Sequence, residues 1–143
     1  MTTRNLRTRS QVLSRASRET HRSKPRILVV EDDRDTAYGL QVGLSAAGHE
    51  VFLARDGESA VSLNAKLRPD LMVLDLGLPG CDGLETLERL RLLASRTPVL
   101  VLSAWDEERY EPKALEAGAR GYLQKPVLGQ ELLAAVESIL GTS

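Results

Sequence analysis

The chain has 143 residues, 42% of them hydrophobic, with 19 basic and 20 acidic side chains and a formal charge of −1. That length holds one domain of ordinary size, about 100–150 residues, and a short appendage, with no room for separate sensor and output domains. One cysteine, Cys81, and two histidines, His21 and His49, exclude a disulfide framework, a multi-cysteine zinc site and a histidine-rich metal site.

The near-zero charge hides two opposite regions. Residues 1–25 carry seven basic residues against Glu19 alone, a charge of +6, whereas residues 26–143 carry twelve basic and nineteen acidic ones, a charge of −7. The basic segment has only Leu6, Val12 and Leu13 as large apolar groups, too few to offset its ordering entropy. It reads as a disordered or loosely helical arm, with no dedicated ligand as the favoured reading; binding to nucleic acid or anionic lipid and folding back onto the acidic body stay open, and its arginine- and serine-rich composition leaves a transit peptide as a minor alternative. No apolar run approaches the roughly 18 residues of a membrane span, and the apolar core of a secretory signal is missing. The expected location is the cytoplasm.

From residue 26 onward, short apolar runs alternate with helical periodicity. Ile27, Leu28, Val29 and Val30 form a run suited to a strand buried on both faces. Ala37, Leu40, Leu44 and Ala47 recur at helical spacing, and Gly48 stands where a glycine ends a helix. Val51, Phe52 and Leu53 make a second strand. Ala60, Leu63, Asn64 and Leu67 mark a second helix, closed by Pro69. Leu71, Met72, Val73 and Leu74 form the third strand, and Leu84, Leu87, Leu90, Arg91 and Ala94 the third helix. Pro98 opens a fourth strand over 99–102, a fourth helical piece reaches Gly118, and Tyr122 and Leu123 form a short fifth strand. Leu132, Leu133, Val136, Ile139 and Leu140 complete a fifth helix before Gly141. Five strand–helix units with short links predict an α/β domain over 26–141, a doubly wound five-stranded parallel sheet covered on both faces.

Ligands of such sheets sit beyond the carboxyl ends of the strands. Glu31, Asp32 and Asp33 follow the first strand, Asp75 the third, Ser103 the fourth, and Lys125 with Pro126 the fifth. Carboxylates gathered at one edge repel each other and call for a cation. An oxygen-only donor set favours a hard divalent ion, Mg²⁺ before Ca²⁺. A carboxylate beside Mg²⁺ and a lysine has the means to attack phosphorus and form an aspartyl phosphate, with Ser103 donating to the phosphoryl group. Taken singly, these residues have plainer explanations: Asp33 or Asp35 as a helix N-cap, Ser103 as a cap, Lys125 as a solvated charge. Their joint placement on one sheet edge is what points to chemistry.

Four stretches carry a family resemblance: residues 27–33 (ILVVEDD), 72–83 (MVLDLGLPGCDG), 101–104 (VLSA) and 121–126 (GYLQKP). Together they resemble the receiver domain of bacterial two-component response regulators, of the stand-alone kind seen in chemotaxis, over roughly 26–141. The resemblance implies a flavodoxin-like sheet in the order 2-1-3-4-5. It implies Asp75 as phospho-acceptor, Glu31 and Asp32 as the acidic pair, and Mg²⁺ held by Glu31, Asp32, Asp75 and the backbone carbonyl of Gly77. Ser103 and Tyr122 correspond to the switch hydroxyl and switch aromatic, and Lys125 to the phosphate-pairing lysine, followed by a cis bond to Pro126. The implied function is a phosphorylation-dependent signalling switch within a phosphorelay. It takes its phosphoryl group from a histidine kinase or histidine phosphotransfer protein, and it catalyses only its own phosphorylation and dephosphorylation. The implied output surface is the fourth helix, fifth strand and fifth helix, facing an output protein; no DNA-binding module is expected, and homodimerisation stays open.

Several residues depart from the family pattern. Gly77, two past Asp75, and Trp105, two past Ser103, occupy positions that tune phosphate lifetime in the family; Trp105 is expected to cover the phosphoryl group while Gly77 leaves the opposite side open. Pro112 costs about 3 kcal/mol inside a helix and fits the first turn better. The fourth helix is therefore expected to start near 112, after an acidic loop over 106–111. Gly39 and Gly43 in the first helix admit close packing of another chain, with simple tolerance as the plainer explanation, and Cys81 reads as an ordinary loop residue. Three other functions stay in view: a phosphate-independent docking module, a Mg²⁺-dependent phosphatase or hydrolase, and a receiver fragment of a larger regulator or hybrid kinase.

Overall fold

Three of the strands are buried along nearly their whole length because helices cover both sides of them. The computed structural model describes residues 24–141, so the expected basic arm, apart from Lys24 and Pro25, lies outside the described residues. In chain order the elements are β1 (Arg26–Val30), α1 (Arg34–Ala46), β2 (Glu50–Ala54), α2 (Gly57–Leu67), β3 (Leu71–Leu74), α3 (Gly83–Leu92), β4 (Val99–Ser103), α4 (Glu107–Glu116), β5 (Gly121–Gln124) and α5 (Gly129–Leu140). The strands are parallel and lie in the order β2-β1-β3-β4-β5, the flavodoxin-like arrangement.

Side chains alternate across the sheet, which divides the core into two layers. On one face Leu28, Val30, Met72, Leu74, Val101 and Tyr122 pack with residues of α2, α3 and α4, among them Ala60, Leu87 and Ala114. On the other, Ile27, Val29, Val73, Leu100 and Leu102 pack with Leu44 of α1 and with Leu132 and Val136 of α5. The helices are started by local chemistry. Asp33, Asp56 and Asp82 each accept the backbone N–H three residues on, and Glu85 returns the bond to the Asp82 amide in a capping box.

The fourth helix corrects the sequence expectation. It runs from Glu107 to Glu116 with Pro112 inside it, so 106–111 is not a loop and the helix does not begin near 112. Pro112 sacrifices one bond, to the carbonyl of Glu108 one turn back. The first turn is held despite that loss: the Tyr110 N–H donates to the Asp106 carbonyl, the Glu107 N–H donates to the Gln124 side chain at 2.8 Å, and the Tyr110 ring packs on Trp105 with centroids 4.8 Å apart. Of these partners, Gln124 lies far outside the local sequence window that the proline argument used.

Gly83, first residue of α3, shows how tightly the helix is set against the strand end. A Cβ there would lie 2.5 Å from Leu76 Cα and 2.6 Å from the Asp75 carbonyl oxygen, both backbone atoms. Gly83→Ala is therefore expected to cost about 1–3 kcal/mol in urea unfolding. Gly129→Ala, at a position with open space, is expected to be neutral or slightly stabilising; equal effects at the two positions would contradict the packing account.

Candidate functional site

The register of the strands brings the site together. Val30 pairs with Leu74 as the last couple of β1 and β3, so the next residues, Glu31 and Asp75, emerge side by side. Their backbones stay tied to the sheet, Glu31 N–H to the Ala54 carbonyl and Asp75 N–H to the Val30 carbonyl. Ser103 pairs with Gln124 across β4 and β5, and the Lys125 N–H donates to the Ser103 carbonyl at 2.8 Å, which delivers the lysine to the same edge.

Lys125 Nζ lies 2.6 Å from Glu31 Oε1 and 3.6 Å from Asp75 Oδ2. Glu31 is only 3% exposed, so its charge needs this pairing. Its other oxygen accepts the Asp33 N–H at 3.0 Å. Asp75 is oriented by the Gly77 N–H, which donates to Oδ1 at 3.1 Å. Oxygens of Glu31, Asp32 and Asp75 lie within 4.8 Å of one another, a hard donor set suited to a divalent ion. Asp33 faces away from this set in function: it caps α1, and the Thr36 hydroxyl and amide hold its carboxyl below its usual range.

The loop beyond Asp75 is anchored by Leu76 and Leu78, both buried. Gly77 between them is exposed, and Trp105 stands over it: a Cβ at Gly77 would lie 3.3 Å from the indole Nε1. The expectation that Gly77 leaves an open side opposite Trp105 is thus corrected, since the two positions meet. Ser103 is fully buried, its Oγ accepting the Trp105 N–H at 3.2 Å. Tyr122 already points inward, 6% exposed, with its hydroxyl donating to the Trp105 carbonyl at 2.7 Å. The bond from Lys125 to Pro126 is cis.

Every residue singled out from the sequence for the site is therefore near the same sheet edge: Glu31, Asp32, Asp75, Gly77, Ser103, Tyr122 and Lys125. Gly39 and Gly43 face open space, and Cys81 sits half-buried beside the Thr86 hydroxyl. Sequence reading missed Gln124, whose side-chain carbonyl accepts an N–H from another element and leaves no local signal. It also missed the cap at Asp82, which the Asp82–Glu85 spacing does signal. Among the described residues, no helix is long and apolar enough to cross a membrane.

Residues 27–137 match the family model described as response regulator receiver domain. Response regulator MprA of Mycolicibacterium vanbaalenii is 45% identical over 115 residues, 80% of this chain and 50% of that protein, so the chain spans about half the length of the curated relatives it matches. Among solved structures, the receiver domain of Francisella response regulator 1452 aligns with a TM-score of 0.79 at 31% identity, covering 82% of this chain and 98% of that one. Chemotaxis protein CheY4 of Vibrio cholerae aligns with a TM-score of 0.76 at 27% identity, covering 81% and 98%.

Burial raises the Tyr122 phenol above its ordinary 10, opposed by its hydrogen bond with Ser103 and reinforced by the carboxylates of Asp106, Asp75 and Glu107. A raised folded-state value contributes stability that is fully present below pH 10 and is lost as pH rises through the folded value. In a phenolate absorbance titration one of the three tyrosines is expected to ionise late, and Tyr122→Phe to remove that component. A titration with no late component that Tyr122→Phe removes would contradict the burial account.

Proposed function

The chain belongs to the response regulator receiver domain family, and on that premise we propose that it is a signalling switch phosphorylated on Asp75. The observation that carries this reading is the placement of Lys125 Nζ between the buried Glu31 and the oriented Asp75, at the edge where Asp32 adds a third carboxylate. The donor is a phosphohistidine of a histidine kinase or phosphotransfer protein. The Asp75 carboxylate attacks phosphorus; the P–N bond breaks as the P–O bond forms, and the imidazole leaves neutral, its other ring nitrogen already protonated.

Glu31, Asp32, Asp75 and the Gly77 carbonyl would hold Mg²⁺, which when bound offsets the negative charge of the incoming phosphoryl group. Lys125 supplies the protein's own positive charge to those oxygens, and the Gly77 N–H keeps the Asp75 carboxylate from rotating away. Ser103 has a hydroxyl proton to donate to the phosphoryl group, and doing so would change its relation to the Trp105 N–H and to Tyr122. Trp105, over Gly77, shields this side of the site from water and lengthens the life of the acyl phosphate. The altered β4–α4 loop and the α4–β5–α5 face then present a different surface to an output partner. Phosphorylation and hydrolysis are the domain's own slow reactions, so it works as a switch that turns over only its own modification.

Acetyl phosphate with Mg²⁺ is expected to label the chain at one site. Asp75→Ala should abolish the label, a chelator should suppress it, and Lys125→Ala should slow its formation by a factor of ten or more, about 1.4 kcal/mol. Label retained in Asp75→Ala would overturn the assignment of the acceptor. Trp105 is the only tryptophan, and its fluorescence is expected to change on adding Mg²⁺ and beryllofluoride; a silent Trp105 would sink its assigned position beside the phosphoryl group.

A further inference from the structure

The helix α4 starts without the device that starts α1, α2 and α3. Asp106 stands in the capping position, yet its side chain makes no capping hydrogen bond, unlike Asp33, Asp56 and Asp82. The helix also contains Pro112, which removes one of its few internal bonds. A ten-residue helix so built is marginal on its own, and its first N–H groups need an acceptor from elsewhere.

That acceptor is Gln124, whose Oε1 takes the Glu107 N–H at 2.8 Å. Gln124 is the last residue of β5, held in register against Ser103, and it immediately precedes Lys125. Tyr122, two residues earlier and so on the same face of the strand, donates its hydroxyl to the Trp105 carbonyl. The strand therefore grips the β4–α4 loop at two points, the carbonyl of Trp105 and the first N–H of the helix.

We propose that Gln124 is a positioning residue: its side-chain carbonyl fixes where α4 begins and ties that beginning to the strand end that carries Lys125. The inference rests on the receiver reading and deepens it. A phosphoryl group at Asp75 that draws Lys125 toward it pulls on the adjoining Gln124, and the helix start responds through one side chain. This route runs parallel to the Ser103–Tyr122 pair and does not require Tyr122 to change its orientation. It needs an acceptor at position 124 and not merely a side chain of that size.

The test uses the full chain with Gln124, Gln124→Met and Gln124→Glu. The first readout is hydrogen exchange at the Glu107 and Tyr110 amides without ligand. Methionine keeps the length and loses the acceptor, and is expected to lower protection about fivefold, the effect of losing one cap; glutamate keeps an acceptor and is expected to restore it. The second readout adds Mg²⁺ and beryllofluoride. The exchange of these amides is expected to change in the Gln and Glu chains and to change clearly less in the Met chain, where only the Ser103–Tyr122 route remains, while acetyl phosphate labels all three at one rate. Equal protection in the Gln and Met chains, or an undiminished beryllofluoride response in the Met chain, would overturn the proposal. Absence of label in all three would count instead against the receiver reading, and the ligand-free exchange would still decide whether Gln124 caps the helix.

Discussion

Three carboxylates converge on one sheet edge, and their mutual repulsion is the constraint to which the rest of the site answers. At about 4 Å, in surroundings with an effective dielectric near 20, two such charges oppose each other by about 4 kcal/mol. Lys125 relieves that repulsion from within the chain, at 2.6 Å from Glu31 and 3.6 Å from Asp75. The relief is only partial, since one ammonium faces three carboxylates, and the remaining negative charge is what makes the edge receptive to a divalent ion. The sheet exists, from the standpoint of function, to hold this imbalance in place: the pairing of Val30 with Leu74 and of Ser103 with Gln124 sets which side chains arrive there.

The partly neutralised edge and the α4 surface are joined through a short run of backbone. Ser103 ends β4 and Trp105 follows two residues later, receiving a hydrogen bond from Tyr122 and giving one to Ser103. Arg109 and Lys113 lie over the Tyr110 ring at 5.3 and 5.2 Å, so cationic side chains cover the ring that packs on Trp105. The aromatic pair thus sits between the carboxylate edge on one side and the helix surface on the other. The strand end and the external face are thus joined by a short run of direct contacts.

The sheet and the composition of its edge were legible because both depend on short-range patterns. Runs such as Leu71 to Leu74 and the periodic Leu132, Val136 and Ile139 declare strand and helix locally, and once the alternation is known, topology places Glu31, Asp75, Ser103 and Lys125 together. The cap at Asp33 was legible for the same reason. What escaped were contacts between residues far apart in the chain. Pro112 argued for a late helix start because its cost is local, whereas the Gln124 carbonyl that accepts the first helix N–H comes from another strand. Gly77 read as an opening because nothing near it in sequence fills the space; the indole that does so comes from the next strand's loop. The inward Tyr122 was expected as one state of a switch, and its bond to the Trp105 carbonyl is a detail of loop geometry that no spacing encodes.

The contact between Gly77 and Trp105 also bears on how this chain can change over generations. A side chain at position 77 would press on the indole, whose Nε1 is 3.3 Å from the place a Cβ would take. A Cβ there asks the ring to shift by a few tenths of an ångström, and a larger side chain asks for more. The reverse change meets no such obstacle, because shrinking position 105 leaves Gly77 undisturbed. The two positions are therefore coupled unequally: a side chain at 77 asks the indole to give way by a small amount, whereas a change at 105 asks nothing of Gly77.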